Sequence, residues 1–175
     1  MKNLLLIILF TATSFAQVSE KWVQRYSANG GGASAMIIDS QGNVIVTGNF
    51  YLTGGNVDIV TIKYNSEGVQ QWLQTYFAGS QGRSTAIAVD EYDNIIITGS
   101  SNENVVTIKY NSAGTLQWTY STPYDTTSWL GTFAVDNAGN SYVTQGSIAA
   151  IQKVNTNGGL VWNNGNPGGI FSSTE

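Results

Sequence analysis

The chain repeats itself, and the repeat sets the fold. Three segments align without a gap: KYNSEGVQQW from Lys63 to Trp72, KYNSAGTLQW from Lys109 to Trp118, and KVNTNGGLVW from Lys153 to Trp162. A second station precedes each one: DSQGNVIVTG from Asp39, DEYDNIIITG from Asp90, and DNAGNSYVTQG from Asp136. Trp22, Trp72, Trp118 and Trp162 follow one another at intervals of 50, 46 and 44 residues. A period of this size means one supersecondary unit per repeat, stacked on its neighbours to bury a shared core.

Each unit reads as four short strands. The first is small and apolar (35–38, 86–89, 132–135), the second β-branched (44–47, 95–98, 141–144). The third covers 59–64, 105–110 and 149–154, and the fourth carries the Trp (69–76, 115–120). β-branched and aromatic residues suit strands, Gly-Asn punctuation suits tight turns, and no segment beyond the N-terminus has a helical period. Val44-Ile45-Val46 and Ile95-Ile96-Ile97 are apolar without alternation, as expected of a sheet covered on both faces. Four antiparallel strands per unit predict an all-β chain of β-propeller blades: about 33–76, 83–121 and 129–163, with the start of a fourth at 164–175 and a lone strand at Trp22. Ala35, Ala86, Ala88 and Ala134 fit a narrow inner strand. Closed rings take roughly 4–8 blades, so three make an incomplete ring whose open faces invite self-association.

The turns have their own chemistry. In Asp-x-x-Gly-Asn and Asn-x-x-Gly, the Asx side chain accepts backbone amides while glycine takes positive φ. Asp39, Asp90 and Asp136, with Gly68, Gly114 and Gly158, are therefore structural positions. Asp93 stands where the other repeats have Gly42 and Gly139, and Asp tolerates that conformation. Asp90, Glu91 and Asp93 also raise a calcium reading, but the spacing lacks the calcium-loop pattern and the other repeats lack the extra acids. Trp72, Trp118 and Trp162 read as packing between blades, with stacking on sugar or peptide as the alternative. Lys63, Lys109 and Lys153 read as stems snorkelling near the turn, with a basic stripe as the alternative.

Composition narrows function by exclusion. With no His and no Cys, a Ser-His-Asp triad, a Cys nucleophile, His- or Cys-ligated zinc and any disulfide are ruled out. Seven Lys plus Arg against 11 Asp plus Glu argues against a nucleic-acid partner. The N-terminus reads as an address: Lys2, the apolar run Leu4–Phe10, then Ser14-Phe15-Ala16 before Gln17 suit a secretory signal peptide over residues 1–16. The rival is a membrane anchor, but the uncharged run from Asn3 to Ser19 falls short of the roughly 20 residues a span needs. A lipid anchor on the mature end would need a Cys. Residues 17–175 are then an exported repeat region without a membrane span.

These paired stations resemble the secreted bacterial β-propeller repeats known as SBBP repeats, from Trp22 to Trp162. The resemblance implies a scaffold within long exported proteins of the Bacteroidetes type, without assigning an activity. Asn65-x-x-Gly68-x-x-x-Trp72 is also similar to the tryptophan-docking motif of quinoprotein-type propellers. Here Asn65 replaces that motif's Asp, and Glu67, Ala113 or Asn157 its Thr, so no quinone, other cofactor or metal is expected.

Strand direction assigns the faces. The 1–2 and 3–4 turns share one end, and the 2–3 and 4–1 connections share the other, where the blades differ. Phe50 and Tyr51 fall in the longest 2–3 loop, and Arg83, Tyr124, Asp125 and Trp129 in 4–1 loops. Loops on a rigid scaffold commonly carry binding, and aromatics with a few polar groups suit a protein or glycan; the plain alternative is that they cover blade edges. The expectation is a binding or scaffold module and not an enzyme. The alternatives are a polysaccharide hydrolase using carboxylates such as Asp58, Glu103 and Asp125, or a spacer. N-terminal sequencing of the exported protein should begin at Gln17; a mature chain that keeps Leu4–Phe10 would refute the signal peptide.

Overall fold

The computed structural model describes residues 20–26, 30–51, 55–79, 81–123, 130–145 and 150–164. The first sheet holds β1 (Gly31–Ile38), β2 (Val44–Tyr51), β3 (Val57–Tyr64) and β4 (Gln70–Tyr76). The second holds β5 (Gly82–Val89), β6 (Ile95–Ser101), β7 (Asn104–Tyr110) and β8 (Leu116–Pro123). The third holds β9 (Leu130–Val135), β10 (Ser141–Gln145), β11 (Ala150–Val154) and β12 (Leu160–Asn163). Each is a four-stranded antiparallel meander in chain order, and no helix occurs among the described residues. The sheets stack as blades of a propeller-like arrangement that does not close. β5 packs on β1, β2 and β3, and β9 on β5 and β6.

Two turns per sheet share one plan, which the Asp turn of the third sheet follows in part, with Asp136 Oδ1 accepting the Asn140 amide. Asp39 Oδ1 accepts the Gln41 and Asn43 amides at 3.0 and 2.9 Å, and Asp90 does the same for Tyr92 and Asn94. Asn65, Asn111 and Asn155 hold the β3–β4, β7–β8 and β11–β12 turns in the same way. Asp93 does adopt positive φ, at 58°.

The core lies between sheets. Ile95, Ile96 and Ile97 are all 0 % exposed, because β6 is covered on both faces. Ile45 and Ile59 of the first sheet meet Ile95, Ile97, Val106, Ile108 and Tyr110 of the second in one cluster. The Tyr110 hydroxyl is pushed up to about 12, first by burial and then by Tyr76.

The tryptophans dock on the next sheet's glycine turn. Lys63 pairs with Trp72, Lys109 with Trp118 and Lys153 with Trp162 across the hairpin, so each Lys and Trp share a face. The Trp72 ring lies flat enough on Gly114 that a methyl there would sit 2.8 Å from it, and its Nε1 donates to Ser112 O at 3.1 Å. Trp118 repeats this on Gly158, with Nε1 donating to Thr156 O at 2.8 Å. Trp22 does so on Gly68, donating to Ser66 O at 3.1 Å. These glycines have φ of +80 to +85° and are needed twice, for the turn and for the ring's approach.

Two expectations need correction. Residues 20–26 are not a strand: they pair with no sheet and lie across the first sheet's outer face, where Trp22, Tyr26 and Phe50 pack on Val60, Ile62 and Tyr64. Trp162 does not dock on a described turn; it is 42 % exposed, with Tyr142 as its aromatic neighbour at 6.3 Å. The fourth blade expected from 164 falls outside the described residues beyond Asn164. Trp72→Ala should cost about 3–5 kcal/mol in a denaturant melt, as for a large core truncation. Trp162→Ala in dilute solution should cost less than about 1 kcal/mol, as for a surface position.

Candidate functional site

The turn end of the sheets carries a buried charge system. Lys63 Nζ lies 2.8 Å from Asp39 Oδ2 and Lys109 Nζ 3.0 Å from Asp90 Oδ2, with all four side chains nearly inaccessible. The lysines therefore do not snorkel to solvent. β3 and β7 run their last residues beneath the β1–β2 and β5–β6 turns, and the Asp carboxylate is the nearest compensating charge. Lys63 also donates to Ser112 O at 3.2 Å, so one carbonyl of the second sheet receives both Lys63 and Trp72. Burial pulls Asp39 upward, but bonds from Lys63 and Asn43 and the Lys63 charge outweigh it and hold the carboxyl below its ordinary 3.8. Asp90 is lowered by the same balance, opposed by burial and driven by Asn94 and Lys109.

The calcium reading loses its donors to these contacts. Asp90 is taken by Asn94 and Lys109, while Asp93 turns to the first sheet, where its carboxylate accepts Ser40 N at 2.9 Å and Ser40 Oγ at 2.6 Å. No group of three or more metal-ligating side chains occurs among the described residues.

The third sheet departs from the pattern. Tyr142 stands opposite Lys153, where Ile45 faces Lys63 and Ile96 faces Lys109. Its hydroxyl donates to Asp136 Oδ2 at 2.9 Å, and Lys153 Nζ sits 5.2 Å from its ring centre. Asp136 is lowered chiefly by the Asn140 side chain, and Lys153 is raised chiefly by its bond to Tyr142.

At the opposite end, Phe50 and Tyr51 belong to strand β2 and Arg83 to strand β5, not to loops. The Thr-Gly station does not end the strand. Gly48 and Gly99 cross the neighbouring strand so closely that a Cβ would strike backbone, and pairing runs on to Tyr51–Val57 and Ser101–Asn104. Phe50 is half-buried, with Tyr26 edge-on at 4.8 Å. Tyr51 and Arg83 are exposed. Asn49 brings their strands together, its Oδ1 accepting Ser84 N at 2.6 Å. Tyr124, Asp125 and Trp129 lie outside the described residues. Asp58 is 1 % exposed and accepts Ala78 N at 3.0 Å, which gives this carboxylate a structural partner. Glu103 is exposed in the β6–β7 turn.

A hollow of about 400 Å³ lies between the first two sheets at the turn end, lined by Gln41, Asn43, Lys63, Gln71, Trp72 and Ser112. Another, about 230 Å³, lies beneath Tyr26 on the first sheet's outer face. Sequence reasoning missed the Asp–Lys pairs, the Asn49–Ser84 link and the Asp93–Ser40 link. The first had a readable trace, since both charges recur in every repeat.

No protein-family model matches the chain, and no curated protein matches it. Solved structures do. One is the crystal structure at 1.35 Å of a protein of unknown function from Bacteroides caccae, 11 % identical with a TM-score of 0.54, matching over 77 % of this chain and 46 % of that one. This chain thus spans under half of that protein's length, and the likeness is one of fold.

The lowered carboxyls fix a pH response. Below 3.8 the unfolded chain binds protons that the folded Asp39 and Asp90 refuse, so their stabilisation is complete above that value and lost as pH falls through the folded pKa. Denaturant midpoints should hold steady from neutrality to about pH 4 and then drop. Asp39→Asn should cost about 3 kcal/mol or more at pH 7 by stranding Lys63, and should shallow the acid decline.

Proposed function

We propose that the chain is an exported binding or scaffold module that meets a protein or glycan at the end of the sheets opposite the Asx turns. The supporting observation is a division of labour between the two ends. At the turn end, Asp39 and Asp90 are spent on the lysines of their own sheets, while Lys63, Trp72 and Trp118 are spent on the turn carbonyls of the next sheet. At the other end, the Asn49–Ser84 link fixes the strands while the exposed Tyr51 and Arg83 make no comparable contact across sheets among the described residues. A rigid strand end with an aromatic and a cation is suited to contact at little entropic cost. The SBBP resemblance and the signal-like N-terminus favour export, while the Bacteroides caccae neighbour shares the fold and adds nothing on binding.

A second reading has its own observation. The hollow of about 400 Å³ at the turn end is lined by the amides of Gln41, Asn43 and Gln71 beside the Trp72 ring, which suits a sugar. Glycan arrays and capture of cell-surface proteins with the chain from Gln17 onward supply the ligand, and substitutions at each end separate the two. Tyr51→Ala with Arg83→Ala should remove binding by about tenfold or more and leave the melting temperature unchanged, since both side chains are exposed. Binding lost with Gln41→Ala and Gln71→Ala instead would move the site to the turn end. A pair of strand-end substitutions that unfolds the chain would refute the assignment of Tyr51 and Arg83 as free contact residues.

A further inference from the structure

We propose that the uncovered face of the third sheet docks a second copy of this chain head to tail, with Trp162 taking the seat on Gly68 that Trp22 fills within one copy. The two internal interfaces show what such a face binds. Trp72 lies on Gly114 and Trp118 on Gly158, each giving its Nε1 to the carbonyl of the residue after the turn Asn. Lys63 adds a second bond to that carbonyl. Lys153 and Trp162 pair in the same register and face the same way. Yet Trp162 is 42 % exposed, and no described sheet covers it.

The complementary surface is the first sheet's outer face, which carries the one Asn-x-x-Gly turn, Asn65–Gly68, that no sheet tryptophan occupies among the described residues. That face is apolar and poorly covered. Met36 and Ile38 are 62 % and 58 % exposed, whereas Ile87 and Val89, at the same stations of the second sheet, pack on the core cluster. A hollow of about 230 Å³ remains between Tyr26 and the sheet at Val60 and Ile62. The covering segment is held at the seat by Trp22 Nε1 to Ser66 O, Gln24 Nε2 to Gly68 O, and an exposed Lys21–Glu67 ion pair. Exposed pairs of that kind contribute little.

A whole sheet in its place would cover Met36 and Ile38 and fill the hollow, replacing one indole by another on Gly68. Lys153 would reach the carbonyl of Ser66 of the partner copy, as Lys63 reaches Ser112. The contact is heterologous, so it forms a ring if the rotation closes. The three described sheets of each of two copies make six, inside the roughly 4–8 of closed rings. The expected assembly is a dimer that grows no further.

Sedimentation velocity on the chain from Gln17 onward, which keeps every described residue, tests this over about 1 to 100 μM. The mass should rise from one copy to two and stop. Trp22→Ala should tighten dimerisation by about tenfold, because an occupied seat lowers apparent affinity by the fraction left open. Trp162→Ala should remain monomeric with an unchanged far-ultraviolet circular dichroism spectrum. Lys153→Glu should also lose the dimer, and stands in should Trp162→Ala misfold. A wild-type chain and Trp22→Ala that both stay monomeric would overturn the proposal and leave the face to another occupant. A dimer that survives Trp162→Ala, or a mass that grows past two, would overturn it equally.

Discussion

The structure depends on an indole lying flat on a glycine turn of the next sheet. That contact joins three things the chain needs at once: an apolar plate between sheets, a hydrogen bond from Nε1 to a turn carbonyl, and a fixed offset from one sheet to the next. The glycine cannot be replaced cheaply, because positive φ and ring contact fall on the same atom. Because the contact recurs, each sheet is positioned by its predecessor. The arrangement is quasi-linear, as repeat stacks are, and its ends are defined by whichever Trp or glycine lacks a sheet partner.

The buried Asp–Lys pairs modify this plan. Replacing such a pair by apolar residues is often neutral or stabilising, so its presence here is better read as orientation than as strength. Lys63 ties the β1–β2 turn of its own sheet to the β7–β8 turn of the next, and a wrong register would leave both charges bare. The third sheet relaxes the scheme. Buried Ser141 and Gln152 stand at the stations of Ile95 and Ile108 where it meets the second sheet, and Tyr142 intercepts Asp136 on its open side. Its interface is more polar, and Ser141 Oγ and Gln145 Nε2 are buried there with no hydrogen-bond partner among the described residues. It is the natural place for the stack to open first.

Much of the fold is legible in the sequence because the repeat carries its own register. A Lys nine residues before a Trp across an Asn-x-x-Gly turn is a hairpin with both side chains on one face, and the strand count and sheet order follow. The Asp–Lys pairs leave only a trace there, the recurrence of both charges in every repeat; the connection between them differs in length each time, and only the sheet brings them together. Phe50, Tyr51 and Arg83 read as loop residues because glycine normally interrupts a strand; Gly48 and Gly99 instead let two backbones pass at close range. Trp22 reads as a strand residue because its spacing matches the repeat; the structure keeps its docking, but residues 20–26 are not a strand and pair with no sheet among the described residues.

Two glycines separate the docking contact from turn strain. Gly114 has φ +85° with the Trp72 ring against it, while Gly42 has φ +79° and open space, with nothing within 4 Å of the position a Cβ would take. Denaturant melts of Gly42→Ala and Gly114→Ala, each made also in a Trp72→Ala background, isolate the ring. Gly42→Ala should cost only the left-handed penalty of about 1–2 kcal/mol. Gly114→Ala should cost about 2 kcal/mol more than that in the wild-type chain, a coupling of the size seen between residues in contact, and no more than Gly42→Ala once Trp72 is gone. Equal costs for the two glycines in the wild-type chain would contradict the claim that indole-on-glycine docking holds the sheets together.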